Sequence, residues 1–368
     1  MSTNTKIMAG IVVVAAIAGI VSVSRSRGPA PASKAPIKIA AVLGLTGYAA
    51  EDSLGVKRGI DLAVADLAAK GIAVHVDYQD DKTDPKQTVS AVQYLISTDK
   101  PAAIIGPIWS YLEDAAVPLL TQDKIVNYAP ANTSEFTTGG PYDFHGAVKN
   151  QLIVPSAAQW LQAKNAKKVA IIISKDAWGD SVDKAFQAAV ARAGGQVVLD
   201  DAILTDDNSA SAMSADLAKA KSLGAEAIMF TGYDEEDVAL VERRKELGFT
   251  APVLAHTREY QELLSAKTVS PDELAGVDYL SVEVAPGFVA EYEKAYGQEP
   301  GNYSDRAYDG VMLLVQAIQN VPQADGDALV AYIRAHPYQG YAGLYQFDEK
   351  GDLKGGNWVI YPVIKRSP

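Results

Sequence analysis

The feature that most constrains the fold is an alternation of continuous apolar strands with helical patterns, and it runs twice along the chain. In the first run, Ile37–Leu43 and Ala102–Gly106 are predicted strands, each followed by an amphipathic helix. The alternation restarts after Val148, with predicted strands at Val169–Ser174 and Ala225–Phe230. Continuous apolar strands joined by crossover helices form parallel sheets that helices cover on both faces. The pattern therefore predicts an α/β fold with two Rossmann-like lobes, each built on a parallel sheet.

The elements near the C-terminus are too few for a third domain, so they are expected to complete the two lobes. Lobe 1 is predicted to contain residues 37–147 with 282–343, and lobe 2 residues 148–281 with 344–368. A chain arranged in this way crosses between its lobes more than once.

Residues 1–36 are predicted to lie outside the fold. Ile7–Val23 is almost entirely apolar, with Lys6 before it and Arg25 and Arg27 after it. At about 1.5 Å per residue this run falls slightly short of the ~30 Å hydrocarbon core of a bilayer. It is expected to be either a signal peptide or an uncleaved membrane anchor, followed by a Pro/Ala/Ser linker. Either way, the segment predicts an extracytoplasmic protein.

The composition argues against several classes of function. A net charge of −12 disfavours nucleic acid as a partner, since phosphates require a basic surface. The chain has no cysteine, and its four histidines are far apart in the sequence, which predicts satisfied structural roles and no metal site. The usual motifs of phosphate-binding loops, serine hydrolases and zinc proteases are missing. We therefore expect a binding protein with no cofactor and no catalytic activity.

Open parallel sheets bind ligands beyond the carboxyl ends of their strands, so the loops after the strands are the candidate site. Among these loops, GPIWS ends at Ser110 and APANTS contains Thr133. Hydroxyl groups beside backbone N–H groups at a helix N-terminus bind a carboxylate well. The alternative is that both residues are simple helix N-caps.

The stretches IKIAAVLGLTG, AAIIGPIWS, APANTS and YSDRAYDGVMLLVQAI, in this order, resemble the periplasmic Leu/Ile/Val-binding protein family, the type I solute receptors of ABC importers. The resemblance runs from about Ile37 to Ile364. It implies the type I periplasmic binding protein fold, with three crossovers between the lobes. It further implies that the protein captures an amino acid or a similar small carboxylate by hinge closure and delivers it to an ABC importer permease.

Positions in lobe 1 that match this family carry expected roles. The resemblance implies that Ser110 binds the ligand carboxylate through its hydroxyl and N–H. Ala131 would offer its carbonyl to an ammonium group, and Thr133 would contact both head groups. Trp109 and Asp52 are expected to flank the pocket for the ligand side chain.

Positions in lobe 2 include one departure from the family. Trp178 matches an aromatic residue that covers the ligand, and Tyr233 matches a tyrosine near the head group. Thr257 stands where amino-acid binders of the family have a glutamate for the ammonium. Glu259, after a small shift, or Asp234 would have to replace that glutamate.

Other ligand classes and roles stay open. If no carboxylate faces an ammonium, Arg258 is expected to recognise a second carboxylate on a ligand that is not an α-amino acid. Related receptors for amides, urea or aromatic acids are one alternative. A ligand-sensing receptor without transport is another.

Overall fold

The structure is a computed structural model, and the residues it describes are 35–131, 133, 139–203, 209–256, 267–321, 323 and 325–363. The predicted N-terminal segment therefore lies outside the described residues, as do Thr257, Arg258 and Glu259. No helix in the described ranges is long and apolar enough to span a lipid bilayer.

The first part of the chain forms a sheet of five parallel strands. Its strands are β1 (Ile37–Leu43), β2 (Val74–Asp80), β3 (Ala103–Ile105), β4 (Val126–Ala129) and β5 (Asp143–His145). They lie in the order β2–β1–β3–β4–β5. The helices between them are α1 (Ala50–Ala69), α2 (Pro85–Tyr94, continued by a π-helical turn at Leu95–Asp99) and α3 (Ser110–Asp123).

Helices cover both faces of this sheet, and the side chains of β1 alternate between the two faces. Ile39 and Leu43 enter the core beneath α1, whereas Ala40 and Val42 enter the core beneath α2 and α3. All four side chains are fully buried. A strand segment buried on both faces is apolar at every position, which explains the continuous apolar run from Ile39 to Leu43; Lys38, before it, is exposed.

The second sheet begins with five parallel strands. They are β6 (Lys168–Ser174), β7 (Gln196–Ile203), β8 (Ala227–Phe230), β9 (Val253–Ala255) and β10 (Val277–Ser281). Their order is β10–β9–β8–β6–β7. The accompanying helices are α4 (Val154–Ala163, after a 3₁₀ turn at Asn150–Ile153), α5 (Ala177–Arg192), α6 (Ser209–Ser222) and α7 (Asp234–Glu246).

After β10 the chain returns to the first core and then goes back to the second sheet. The late helices are α8 (Pro286–Tyr296), α9 (Ser304–Asn320) and α10 (Gly326–Ala335), followed by a hairpin of β11 (Tyr338–Gln339) and β12 (Leu344–Tyr345). Side chains of these three helices and of β12 pack in the core of the first sheet. The last strand, β13 (Val359–Pro362), pairs with β10. The chain therefore crosses between the two sheets three times.

The predicted parallel sheets are confirmed, with one antiparallel strand added at an edge. The second sheet is mixed, because β13 runs antiparallel to β10 at its edge. A strand that arrives from the other lobe needs no crossover helix, so it is not restricted to the parallel direction.

The division of the chain into lobe ranges stays a prediction, and side-chain packing favours one adjustment. Tyr345 and Phe347 pack in the core of the first sheet, with ring centroids 6.3 Å from Tyr128 and 4.9 Å from Phe144 respectively. This packing favours a boundary after residue 347 instead of the predicted boundary between 343 and 344.

Two of the expected site residues lie at helix starts. Helix α1 begins at Ala50, and α5 begins at Ala177. Asp52 and Trp178 therefore lie in first helical turns and not in loops. A helix holds a side chain in a narrower range of positions than a loop does.

Helices α1 and α9 approach each other closely at Gly59. A methyl group added to Gly59 would overlap the backbone carbonyl oxygen of Ser304. Backbone atoms cannot move aside as a flexible side chain can, so the two helices would have to separate. By contrast, a methyl group added to Gly287 in α8 would make an ordinary 3.4 Å contact with the Tyr341 ring.

We predict that Gly59→Ala lowers the free energy of unfolding by about 1–3 kcal/mol, because overpacking forces the backbone to shift. The matched substitution Gly287→Ala should change stability by no more than ~1 kcal/mol, since alanine favours the helix. Urea unfolding of both variants measures the difference. Equal midpoints for the two variants would contradict the close packing of α1 on α9.

Candidate functional site

A cleft lies between the carboxyl ends of the two sheets. Its empty volume is about 520 Å³, part of it open to solvent. Seven of the residues that the sequence analysis singled out line this one cleft: Asp52, Trp109, Ser110, Ala131, Thr133, Trp178 and Tyr233. Asp176, Tyr111 and Tyr303 also line it, and the sequence analysis did not single them out.

The first-sheet wall of the cleft is built around the start of α3. Ser110 is the first residue of this 14-residue helix, and Trp109 holds the N-cap position with an extended backbone. The alternative that Ser110 is the N-cap is therefore wrong. The buried Ser110 lies where the positive end of the helix dipole meets the cleft.

Ala131 and Thr133 follow β4, the neighbour of β3 in the sheet, and both are buried. The carbonyl of Thr133 accepts a hydrogen bond of 3.1 Å from the backbone N–H of Asn150, where the chain first crosses to the second sheet. Parallel strands end at the same edge of a sheet, which explains why residues so distant in sequence from Ser110 share its cleft.

The second-sheet wall is organised by Asp176. Its Oδ1 accepts a hydrogen bond of 2.8 Å from the Gly179 N–H and so caps α5. Its Oδ2 accepts a hydrogen bond of 2.8 Å from the hydroxyl of Tyr233, which follows β8. The position of Asp176, directly before a helix that starts after a strand, is the sequence signal that could have identified it.

Aromatic rings from both walls meet across the cleft. The ring centroid of Tyr233 lies 5.3 Å from that of Trp109, 5.9 Å from that of Tyr48 and 5.3 Å from that of Trp178. Trp109 and Tyr48 belong to the first part of the chain, and Trp178 and Tyr233 to the second. Trp109, Trp178 and Tyr233 all line the cleft, so aromatic side chains form part of the surface that a ligand would contact.

Asp52 does more than flank the cleft. Its Oδ2 accepts a hydrogen bond of 3.3 Å from the indole N–H of Trp109, and its Oδ1 accepts one of 2.9 Å from the Asn302 side chain. Together with Asp176 it gives the cleft two carboxylates. Tyr111 adds a neutral hydroxyl, because burial, assisted by Asp81 and Asp176, raises its pKa to about 12.

In the described part of the chain no group of three or more acidic or histidine side chains could hold a metal ion. The cleft thus combines hydroxyl groups at a helix N-terminus, carboxylates and aromatic faces. Such a set of groups can bind a small molecule that carries charge of both signs.

A sequence model of the family described as periplasmic binding protein matches residues 36–365. The chain belongs to this family.

Curated relatives match along most of their length. An amino acid binding protein of Pseudomonas aeruginosa is 27% identical over 324 residues, which cover 83% of this chain and 84% of the relative. The Leu/Ile/Val-binding protein of Escherichia coli is 24% identical over 351 residues, covering 88% and 90% of the two chains.

Solved structures share the fold, with two lobes. A leucine binding protein from Thermotoga maritima superposes with a TM-score of 0.77 at 24% identity, covering 88% of this chain and 94% of that one. A solute binding protein of an ABC transporter from Rhodopseudomonas palustris, in complex with 3,4-dihydroxybenzoic acid, has a TM-score of 0.76 at 24% identity. This superposition covers 88% of the present chain and 92% of the Rhodopseudomonas palustris protein. The type I periplasmic binding protein fold expected from the sequence is confirmed.

A buried charge cluster in this binding protein ties the site helix to two crossings. His145 Nε2 lies 3.1 Å from Glu113 Oε1, on the first turn of α3. His145 Nδ1 lies 2.6 Å from Asp352 Oδ1, on the way to β13. Lys149, in the first crossing, places its Nζ 2.7 Å from the same Asp352 oxygen. The orientation of α3 is thus coupled to the segments that connect the lobes.

The cluster keeps His145 charged. Burial alone would lower the pKa of His145, but the Glu113 and Asp352 carboxylates outweigh burial and raise the pKa to about 9. Burial would likewise raise the pKa of Asp352, but hydrogen bonding to His145 and the charge of Lys149 hold it below its usual value. Both shifts mean that the folded state stabilises the charged forms.

We predict that stability falls as the pH rises from 7.5 to 9. The folded pKa of His145 is about 9 and the unfolded value ~6.5, so its contribution is complete below pH ~6.5 and lost as the pH rises through 9. The free energy of unfolding should fall by up to ~1.4 kcal/mol per pH unit. Above pH 7.5 interference from Asp143, whose pKa burial raises to about 7, is small.

Denaturant titrations of wild type, His145→Gln and the exposed-site control His336→Gln measure this slope. It should disappear in His145→Gln alone. A slope that persists unchanged in His145→Gln would mean that other groups titrate in this window.

Proposed function

We propose that the protein is an extracytoplasmic solute receptor that closes its lobes over an amino acid, or a similar small carboxylate, and presents it to an ABC importer. The observation that carries the proposal is that Ser110 and Thr133 share one cleft with Trp178 and Tyr233 of the other lobe. The names of the relatives, among them amino acid binding and Leu/Ile/Val-binding proteins, support the ligand class. The proposal is of binding and not of catalysis.

The head group of the ligand would lie against the start of α3. A carboxylate there accepts charge-assisted hydrogen bonds from the Ser110 and Thr133 hydroxyls and is favoured by the helix dipole. The Ala131 carbonyl, at the same edge of the sheet, would accept a hydrogen bond from an ammonium group. These contacts belong to lobe 1 alone, so the open form already offers them.

An ammonium group also needs a carboxylate, because a buried cation without a counter-charge costs several kcal/mol. Asp176 is the carboxylate that we propose for this role. It lies on the wall opposite Ser110, and Gly179 and Tyr233 fix its orientation. Glu259 and Asp234 stay predictions for the same role.

Closure of the lobes would follow from contacts made only in the closed form. Shifting the closed population from 1% to 99% requires about 5.5 kcal/mol of differential binding. Three or four charge-assisted hydrogen bonds of ~1.5–3 kcal/mol each provide enough. Contacts with Asp176, Trp178 and Tyr233 would supply this difference, because lobe 2 carries all three. A permease would then recognise the closed shape.

The apolar segment near the N-terminus supports an extracytoplasmic location for this receptor. The apolar run Ile7–Val23 would direct the chain across the membrane, either as a cleaved signal peptide or as an anchor that holds the receptor at the outer face. Both forms leave residues 37–363 outside the cytoplasm, where a receptor meets its solute.

A second candidate ligand class is aromatic acids. The rings of Tyr48, Trp109, Trp178 and Tyr233 offer flat faces on which an aromatic ligand could stack. Two neighbours from Rhodopseudomonas palustris are complexes with 3,4-dihydroxybenzoic acid and benzoate. Such a ligand has a carboxylate but no ammonium, so it would use Ser110 and Thr133 and leave Asp176 without a partner from the ligand.

We predict that ligand screening by thermal shift identifies a carboxylate whose binding depends on Ser110 and Thr133. A ligand at 100 times its Kd stabilises the folded state by about 2.7 kcal/mol. The double variant Ser110→Ala with Thr133→Ala should weaken binding by ~2–4 kcal/mol, two lost hydrogen bonds to a charged group. The control double variant Ser90→Ala with Thr98→Ala changes exposed hydroxyls and should bind as wild type does. Unchanged affinity in the cleft double variant would refute the proposal.

We predict that Asp176→Asn separates the two ligand classes. Asparagine can still cap α5 through Oδ1 and can donate from Nδ2 to the Tyr233 hydroxyl oxygen, but it removes the negative charge. Affinity for amino acids should fall by ~30-fold or more, equivalent to ~2 kcal/mol, because the ammonium loses its counter-charge. Affinity for benzoate-like acids should stay the same or rise. Calorimetric titration measures both, with the exposed Asp180→Asn as the control; equal losses for both classes would reject Asp176 as the ammonium partner.

A further inference from the structure

A second cavity lies beside the cleft and shares part of its wall. Asp52, Trp178 and Tyr303 line both spaces, and the second cavity has an empty volume of about 520 Å³. His256 and Arg306 line only the second cavity. A ligand whose head group lies at Ser110 could therefore extend past Asp52 into this space.

Arg306 brings a buried positive charge to the cavity wall. It lies in the first turn of α9, and only 8% of its surface is exposed. Its guanidinium carbon lies 5.5 Å from the centre of the Tyr303 ring. Within the described part of the chain the guanidinium takes part in no ion pair and no side-chain hydrogen bond. The guanidinium, at the wall of a cavity that Asp52 also lines, therefore has room for a direct anionic partner, which a ligand carboxylate in the cavity would supply.

His256 brings a buried hydrogen-bonding atom to the same wall. Its Nε2 has no hydrogen-bond partner in the described residues, and only 6% of the residue surface is exposed. The ring is held 4.6 Å from Trp358 and 5.4 Å from Trp178. Burial lowers the pKa of His256 to about 4, so the ring is neutral at pH 7, and in the tautomer that carries the proton on Nε2 this atom can donate a hydrogen bond. The expectation that every histidine has a satisfied structural role is therefore wrong for His256.

We propose that this second cavity is a subsite for a carboxylate at the far end of the ligand, held by Arg306 and His256. The inference rests on the proposed function, since it takes the first carboxylate to be bound at Ser110 and Thr133. It narrows the ligand class to amino dicarboxylates, of which L-glutamate and the longer L-2-aminoadipate are examples.

Asp52 fits this assignment because it lies at the junction of the two spaces. An amino dicarboxylate carries its ammonium near the first carboxylate, so the positive group would face Asp52 as well as Asp176 while the second carboxylate reaches Arg306. The Asp52 carboxylate is held in place by Trp109 and Asn302. Leu280 and Val282 give the second cavity apolar wall area that suits the methylene chain between the charged groups.

A purely apolar side chain would suit this cavity less well. It would exclude water from the Arg306 guanidinium without giving it a counter-charge, and it would leave His256 Nε2 without an acceptor. The acid should therefore bind more tightly than its amide, although the two are nearly equal in size and shape.

The test is a calorimetric titration of the full chain with L-glutamate, L-2-aminoadipate, L-glutamine and L-leucine. We expect at least one of the two acids to bind ~10-fold or more tightly than glutamine and leucine, the scale of one charge-assisted interaction. A wild-type protein that binds glutamine or leucine as tightly as both acids overturns the subsite, whatever the variants do.

Variants of Arg306 then test whether this residue causes the preference for the acid over the amide. Arg306→Gln should weaken acid binding by ~30-fold or more while changing glutamine binding by less than ~3-fold. Arg306→Lys should cause a smaller loss, because lysine keeps the charge but not the forked geometry. The control Arg192→Gln removes an exposed arginine in α5 and should change nothing. A preference for the acid that survives in Arg306→Gln overturns the assignment.

His256→Gln provides a second variant if Arg306→Gln does not fold, with folding judged from circular dichroism and melting temperature. It should weaken acid binding by ~3-fold or more and leave leucine binding unchanged. Equal effects on both ligands argue against the subsite.

The double variant Ser110→Ala with Thr133→Ala separates the proposed subsite from the proposed receptor function. A neutral amino acid that binds best and depends on this pair refutes the subsite and supports the receptor. If no carboxylate depends on the pair, the proposed function itself fails.

Discussion

The arrangement of this protein depends on one constraint, which is that parallel strands end at the same edge of their sheet. The residues that follow β3 and β4 are brought to one edge, and those that follow β6 and β8 to another. Because the chain crosses between the sheets three times, the two edges face a common cleft. Ser110 and Thr133 on one wall, and Trp178 and Tyr233 on the other, meet there without any local sequence relationship.

A network of buried charges holds one wall of the cleft in place. Glu113, one turn after Ser110, pairs with the buried His145, and Asp352 and Lys149 connect this pair to the crossings. Such a network is expensive to break once formed, since removal of one member leaves another buried charge without a partner. The helix that carries Ser110 is therefore held by the segments that a hinge motion would bend.

The fold class could be predicted from the sequence because it follows from a local pattern, whereas the family and the seven expected cleft residues were predicted with the help of a resemblance to known proteins. A buried strand is apolar at every position, and Asp84 before Pro85 marks the start of α2, where its side chain accepts hydrogen bonds from Lys86 and Gln87. Short or weakly apolar elements are harder to predict: β5 has three residues, and β10 (VDYLS) includes the polar residues Asp278 and Ser281. Asp176 was missed as a site residue, although its role as a helix cap gives a recognisable signal.

By itself, the sequence determined the two parallel-sheet lobes, the loops in which a ligand would lie and the hydroxyls at the start of α3, since periodicity and capping act over a few residues. Only the tertiary structure decided which charges are compensated. Arg306 and His256 are separated by fifty positions, and nothing in the residues around either one reveals that they line one cavity. Whether a buried charge has a partner depends on contacts between distant elements, and those contacts exist only once the lobes have packed.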